Sequence, residues 1–260
     1  MSNPSSQEKL KSLRGYSKAM IQAMRVMDQR RHILEPLVDD RPIQDALAAK
    51  INGTDAVTAY NQLVPILALD FVRDLARLFL DTGKKVASLE NVWRKASEPA
   101  VHAQLKNEFR QIPDKWYKNQ TPFDGFTMKE TRLFLDEMLK KDQSEFSDSF
   151  DAGWRIVESG LTKIRQDPVS NKLKLVRDKY QAHFEMTKVD EEPEPLRISE
   201  LHLKYEQLFG FSDSYLPVAY ELNRIITGTI YDFSESTRHH RESGRAFWKV
   251  LGDLESSDAN

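Results

Sequence analysis

Apolar residues recur at spacings of three and four along most of the chain, the pattern of amphipathic helices. Residues 7–34 place one such stripe on a single face, namely Leu10, Leu13, Met20, Ile21, Met24, Met27 and Leu34. Further helices are predicted over 40–51, 54–81, 88–93, 97–111, 127–141 and on to 166, 170–185, 199–209, 212–233 and 234–254. No stretch shows the sustained alternation typical of β-strands. The pattern therefore predicts an all-α bundle without a significant sheet.

Capping and breaking residues set the expected helix boundaries. Pro36 is expected to end the first helix, and Asp40 is placed to cap the second. Pro65 should kink or split the third helix. Thr127 and Glu130 form a capping-box pair, and the dipeptide Asp167-Pro168 should break the long helix that precedes it.

Between residues 112 and 126 the helical pattern lapses, and prolines, a glycine and four aromatic residues come together. One interpretation is a surface loop that its own aromatic side chains hold in place. The other is a base-stacking surface, because Lys115 and Lys118 lie beside the aromatic residues. Residues 188–195 are acidic and proline-rich, as is typical of a connector.

Composition limits the class of protein. The chain has 260 residues, of which 40% are hydrophobic and 30% charged, as in ordinary globular proteins. We expect a helical extension over residues 1–53, a helical domain over 54–234, and a last helix with a frayed tail over 235–260.

A net charge of −2 argues against tight, sequence-blind binding of nucleic acid, although it allows a small basic patch. The absence of cysteine excludes disulfides and thiolate chemistry. The amino terminus lacks the pattern of a signal peptide and no apolar run is long enough for a membrane span, so we expect a cytoplasmic protein without membrane contact.

The six histidines show no paired-ligand spacing, and we expect no metal and no cofactor. His239 and His240 are interpreted as an exposed pair on the last helix.

The helix predicted over 170–185 carries the most informative residues. Leu173 and Val176 begin its apolar stripe, and Arg177 and His183 lie on or beside that face. In a regular helix these two side chains would lie about 120° apart around the axis and about 9 Å apart along it. They would not converge within one chain, but they would do so if two copies of the helix met across a two-fold axis.

The run Val176-Arg-Asp-Lys-Tyr-Gln-Ala-His183 resembles the signature of the HEPN superfamily, in particular its abortive-infection branch. The stretch from Leu75 to Asp81, followed by Ser88, is similar to an early helix and turn of that family. The stretch from Ile198 to Tyr205 is similar to the helix after the motif. By bare spacing, Arg25–His32 and Arg197–His202 also match. Only Arg177–His183 combines a polar follower, a lysine and a small residue before the histidine.

The resemblance implies a metal-independent ribonuclease that acts as a homodimer on RNA, with Arg177 and His183 as catalytic residues and Asp178, Lys179 and Tyr180 in support. Its histidine would act as acid or base and its arginine would stabilise charge on the phosphate. An antitoxin or other regulatory protein is the further partner that the resemblance implies. The alternative is a non-catalytic helical protein of the same fold, in which the same surface serves for dimerisation or partner binding.

Overall fold

The protein is described by a computed structural model that covers residues 5–118, 121, 123–181, 186–187, 194–195 and 202–254. For residues 179–181, 186–187 and 194–195 the description extends to the backbone alone. The helices are α1 (Ser6–Asp39), α2 (Arg41–Ile51), α3 (Ala56–Leu80), α4 (Leu89–Ala96), α5 (Pro99–Arg110), α6 (Asp114–Tyr117), α7 (Met128–Gln166), α8 (Pro168–Leu175), α9 (Tyr205–Thr227) and α10 (Phe233–Leu251). A π-helical segment (Val176–Gln181) continues α8.

An antiparallel ladder joins two strands of two residues each, β1 (Met186–Thr187) and β2 (Glu194–Pro195). All the longer elements are helical, so the all-α prediction is confirmed. No helix in the described part of the chain combines the length and the apolarity needed to cross a membrane.

The predicted caps are present. Asp40 accepts the backbone N–H of Ile43 at the start of α2. Thr127 and Glu130 form the reciprocal capping box at the start of α7. Each bond satisfies a backbone donor that the first helical turn leaves without an internal partner.

The end of the first helix expected at Pro36 is wrong, because Pro36 lies inside α1, which runs on to Asp39. Pro65 lies inside α3 and does not split it, whereas a kink at Pro65 stays a prediction. The break expected between residues 209 and 212 is also wrong, because α9 continues across it. Leu34 and Leu37, buried on both sides of Pro36, keep α1 packed despite the backbone donor that proline lacks.

The core surrounds α1, whose apolar stripe packs against α3, α9 and α10. Met20, Met24 and Met27 are fully buried at its centre. α7 packs along α9, and Gly160 allows this approach because a Cβ at that position would meet the side chain of Val218. The division of the chain at residues 53 and 234 stays a prediction.

α10 lies across the second half of α1 at very short range. A Cβ on Gly244 would lie only 2.7 Å from the carbonyl carbon of His32, and closer still to its oxygen. The indole N–H of Trp248 donates to the carbonyl of Ile33 at 2.7 Å. The two helices therefore touch through backbone and not only through side chains.

Candidate functional site

The start of α8 is held by a residue that serves two elements. One carboxylate oxygen of Asp167 accepts the backbone N–H of Val169 at 2.8 Å, and the other accepts the hydroxyl of Tyr215 at 2.9 Å. Pro168 follows as the first helical residue, where its missing N–H costs nothing. Burial, together with the bond to Asp167, raises the pKa of Tyr215 to about 12. The helix that leads to Arg177 is thus fixed to α9 at its first turn.

The segment after α8 is not a regular α-helix. Leu173 and Val176 are fully buried, as the apolar stripe predicts. From Val176 to Gln181, however, the backbone is π-helical. In this geometry each N–H bonds to the fifth carbonyl back and not to the fourth. The expected step of 100° per residue is therefore wrong over this segment, and the angle between Arg177 and His183 stays a prediction.

Arg177 is half-buried and is held at two points. Its Nε donates to Asp178 at 2.6 Å, and its Nη1 donates to the carbonyl of Leu80, the last residue of α3, at 3.3 Å. The hydrogen bond with Asp178 raises the pKa of Arg177, partial burial opposes the rise, and the charges of Asp178 and Asp81 add to it. The contact with Leu80 also matches the attraction of cations to helix C-termini.

A guanidinium has five donors in a fixed planar fork. Two of these are used by Asp178 and Leu80, and Nη2 has no hydrogen-bond partner within the described part of the chain. The side chain retains 31% of its exposure. Arg177 thus combines a fixed orientation with an edge that remains able to bind an anion.

The other predicted site residues are described unequally. Asp178 contacts Arg177, as expected for an orienting carboxylate. For Lys179 and Tyr180 the structure gives the backbone alone, within the π-helical segment. His183 lies outside the described residues, so its distance from Arg177 stays untested.

The second spacing match, Arg25–His32, places its histidine in the core. His32 is 1% exposed; its Nδ1 lies 2.6 Å from Glu35 and its Nε2 lies 3.5 Å from Asp28. Enclosed by these carboxylates, His32 cannot reach a nucleic acid. In the third match, His202 is exposed and Arg197 lies outside the described residues.

The prediction of an exposed pair at His239 and His240 is wrong for His240. Its side chain is buried, and its Nδ1 lies 2.7 Å from Asp28, which also accepts the hydroxyl of Thr237. Asp28 thereby links α10 to α1 next to His32. In the described ranges no three His, Asp or Glu side chains are arranged to hold a metal ion.

The aromatic segment between α5 and α7 is packed mainly against α7. Trp116 contacts Phe146 with ring centroids 5.4 Å apart, and the hydroxyl of Tyr117 donates to Asp142 at 2.5 Å. Phe123 contacts Phe134 in the same way. These contacts favour the interpretation of a loop held by its own aromatics over that of a base-stacking surface.

One cavity lies away from the predicted site residues. It measures about 510 Å³ between α5, α6 and α9 and is lined by Arg14, Glu108 and Lys115 among others, and by none of the predicted site residues. A phosphate-binding surface needs no deep pocket, so we base the candidate site on Arg177 and not on cavity size.

Sequence reasoning missed the side chains that fasten the turn beside Arg177. Ser88, Asn91 and Arg94 of the α4 region bond to the backbone of residues 81–86. The only signal in the sequence was the helix expected to begin at Ser88, because the other bonds depend on the path of the folded turn.

The longer elements of the described chain are all helical, and the sequence carries an arginine, a polar residue and, six positions after the arginine, a histidine, which is the pattern of the HEPN signature. The family model of the AbiU2 family of HEPN domains matches residues 7–247, and the chain belongs to this family. It is therefore a HEPN protein of the abortive-infection type, as its signature predicts. No curated protein and no solved structure matches the chain.

Proposed function

We propose that the protein is a metal-independent endoribonuclease that acts as a homodimer, with Arg177 and His183 at the scissile phosphate. The observation that carries the proposal is Arg177, fixed by Asp178 and Leu80 with part of its fork still open. Membership of a HEPN family supports it. A cytoplasmic location and an antitoxin partner stay predictions.

The chemistry requires a base, an acid and a cation. The 2′-hydroxyl of the RNA loses its proton to one histidine and its oxygen forms a bond to phosphorus. The bond from phosphorus to the 5′-oxygen breaks, and a second histidine protonates that oxygen. Arg177 stabilises the negative charge on the phosphoryl oxygens. The products are a 2′,3′-cyclic phosphate and a 5′-hydroxyl.

A homodimer supplies what one chain lacks. A single histidine cannot easily occupy both sides of the phosphate, whereas His183 from each of two chains provides both acid and base. Lys179 would contact the RNA backbone, and Tyr180 would pack behind the motif.

The test compares the cleavage of single-stranded RNA in EDTA by wild type, Arg177→Ala and His183→Ala. His239→Ala is the matched control, because His239 is exposed on α10 and outside the proposed site. Loss of an acid or base costs about 10²- to 10⁴-fold in rate, and loss of a charge-stabilising donor costs about 10²- to 10³-fold. Solution mass and circular dichroism establish that each variant remains folded and dimeric. Equal rates for His183→Ala and His239→Ala in folded dimers would overturn the assignment.

The second candidate function is partner binding without catalysis. It is favoured by apolar side chains exposed around the first half of α7, where Leu133 is 60% and Phe134 52% exposed. Single large apolar residues on a surface are common, but a group of them is typical of docking sites. If the protein only binds partners, wild type and all three variants should show the same background level of RNA cleavage.

A further inference from the structure

The turn between α3 and α4, residues 81–88, is partly exposed, and several side chains hold its backbone in place. We call it the dilysine turn, after Lys84 and Lys85. Its backbone carbonyls accept four hydrogen bonds from side chains that begin or belong to α4, with distances of 2.6 to 3.3 Å from Ser88 to Asp81, from Arg94 to Thr82, and from Asn91 to Lys84 and Val86.

Two of the fastening side chains are fully buried. Ser88 and Asn91 have no exposed surface, and Asn91 is in addition held by Arg94. Within the turn, the N–H of Gly83 donates to the carboxylate of Asp81 at 2.8 Å. Buried polar groups satisfied in this way rigidify the backbone that they bind.

The side chains of the two lysines do not take part in holding this turn. Lys84 and Lys85 are exposed, and neither forms an ion pair with any residue that the structure describes. Nearby acids have other partners, since Glu90 binds Arg165 through two hydrogen bonds and Asp178 binds Arg177. As far as the described residues go, the ammonium groups of Lys84 and Lys85 are therefore available to a ligand.

The dilysine turn begins where Arg177 is anchored. Arg177 donates to Leu80, and the turn starts at the next residue, Asp81. At no more than about 3.6 Å per residue, the Cα of Lys84 lies within about 14 Å of that of Leu80. This separation is within the span of a few nucleotides of an RNA strand.

We propose that Lys84 and Lys85 bind backbone phosphates of the RNA strand that flanks the scissile phosphate. The inference rests on the proposed function of Arg177 and adds a subsite to it. Ammonium groups neutralise phosphates without reading bases, so this subsite contributes affinity and register but no sequence preference. The fixed turn lowers the entropy that is lost when the strand binds.

The test measures the binding of a single-stranded 2′-O-methyl oligonucleotide, which cannot be cleaved because its 2′-oxygen carries no proton. Wild type is compared with the double variant Lys84→Ala/Lys85→Ala over a series of salt concentrations. Each phosphate contact on a single strand contributes about 0.7 to the slope of log affinity against log salt. The slope for the double variant should therefore be smaller in magnitude than that for wild type by about 1.4.

The chain offers a matched control in Lys140 and Lys141, an exposed lysine pair on α7. Lys140→Ala/Lys141→Ala makes the same change in net charge and should leave the slope unchanged. Lys84→Arg/Lys85→Arg keeps both charges and should retain the wild-type slope. All four lysines are exposed, so the variants should have the same melting temperature as wild type.

Each outcome decides a different claim. If wild type binds and cleaves RNA but both lysine-to-alanine pairs have the wild-type slope, the subsite is overturned and the proposed function stands. If the two pairs lower the slope equally, binding follows overall charge and the subsite is overturned as well. If wild type neither binds nor cleaves RNA, the proposed function itself fails.

Discussion

The contact between α1 and α10 gives the sharpest prediction about the fold. Replacing Gly244 by alanine adds one methyl group at the point where the two backbones meet. That methyl would lie 2.7 Å from the carbonyl carbon of His32, whereas ordinary contact begins at 3.4 Å. α10 must therefore retreat by at least about 0.7 Å, because a backbone carbonyl cannot turn aside as a flexible side chain can.

The magnitude follows from what the retreat disturbs. Overpacking of a tight contact costs about 1–3 kcal/mol. The hydrogen bond between His240 and Asp28, one turn from Gly244, involves a charged partner, and losing such a bond costs about 1.5–3 kcal/mol. Alanine regains about 1 kcal/mol through its higher helix propensity. We expect Gly244→Ala to lower the free energy of unfolding by about 2–4 kcal/mol.

The assay is urea denaturation followed by circular dichroism, with Gly15→Ala as the matched control. Gly15 is also helical, and a Cβ there meets nothing within 4 Å. The control should therefore gain about 0.5–1 kcal/mol. If Gly244→Ala were as stable as Gly15→Ala, the close crossing of α10 over α1 would be refuted.

Two titratable groups give further predictions. Burial opposes ionisation of Glu35, but its hydrogen bond with His32 and the charge of Arg31 lower its pKa below the usual 4.5. A carboxyl with a lowered folded pKa stabilises the fold above its unfolded pKa and loses that contribution as the pH falls, so Glu35→Gln should flatten the decline of the urea midpoint between about pH 5 and pH 3. The pKa of Tyr215 is raised to about 12. Its contribution to the stability of the fold is therefore fully present below pH 10 and falls as the pH rises above 10. Tyr215→Phe should lose about 1.5–3 kcal/mol at pH 7, because it removes the hydrogen bond to Asp167, and urea titrations at pH 7 and 10.5 should show a smaller gap at the higher pH. An unchanged midpoint at pH 7 would contradict the role of this bond, and acid profiles of equal slope would contradict that of Glu35.

The helices could be predicted well because their signals are local. The stripe of α1, the cap at Asp40 and the capping box at Thr127 each depend on residues within one or two turns. The helix end expected at Pro36 failed because the packing of Leu34 and Leu37 outweighs one missing backbone hydrogen bond. Local rules assign proline a cost but do not weigh the burial that offsets it.

The site was predictable only in part. The motif correctly identified Arg177 as a residue beside the buried stripe. It did not reveal the π-helical segment. It also did not reveal that Arg177 donates to the carbonyl of Leu80, because these two residues are 97 positions apart in the sequence. The burial of His240 was missed for the same reason, since its partner Asp28 lies 212 positions away. Spacing along one helix carries no information about such contacts.

The most direct test of the central claim is the chemistry of the RNA ends that wild type produces in EDTA. Cleavage by Arg177 and His183 should yield fragments with a 5′-hydroxyl, which polynucleotide kinase labels without prior phosphatase treatment, and a 2′,3′-cyclic phosphate at the other end. A substrate with 2′-deoxyribose at the cleaved position should remain intact there. Fragments with a 5′-phosphate, or no cleavage at all by the folded wild-type protein, would contradict the account.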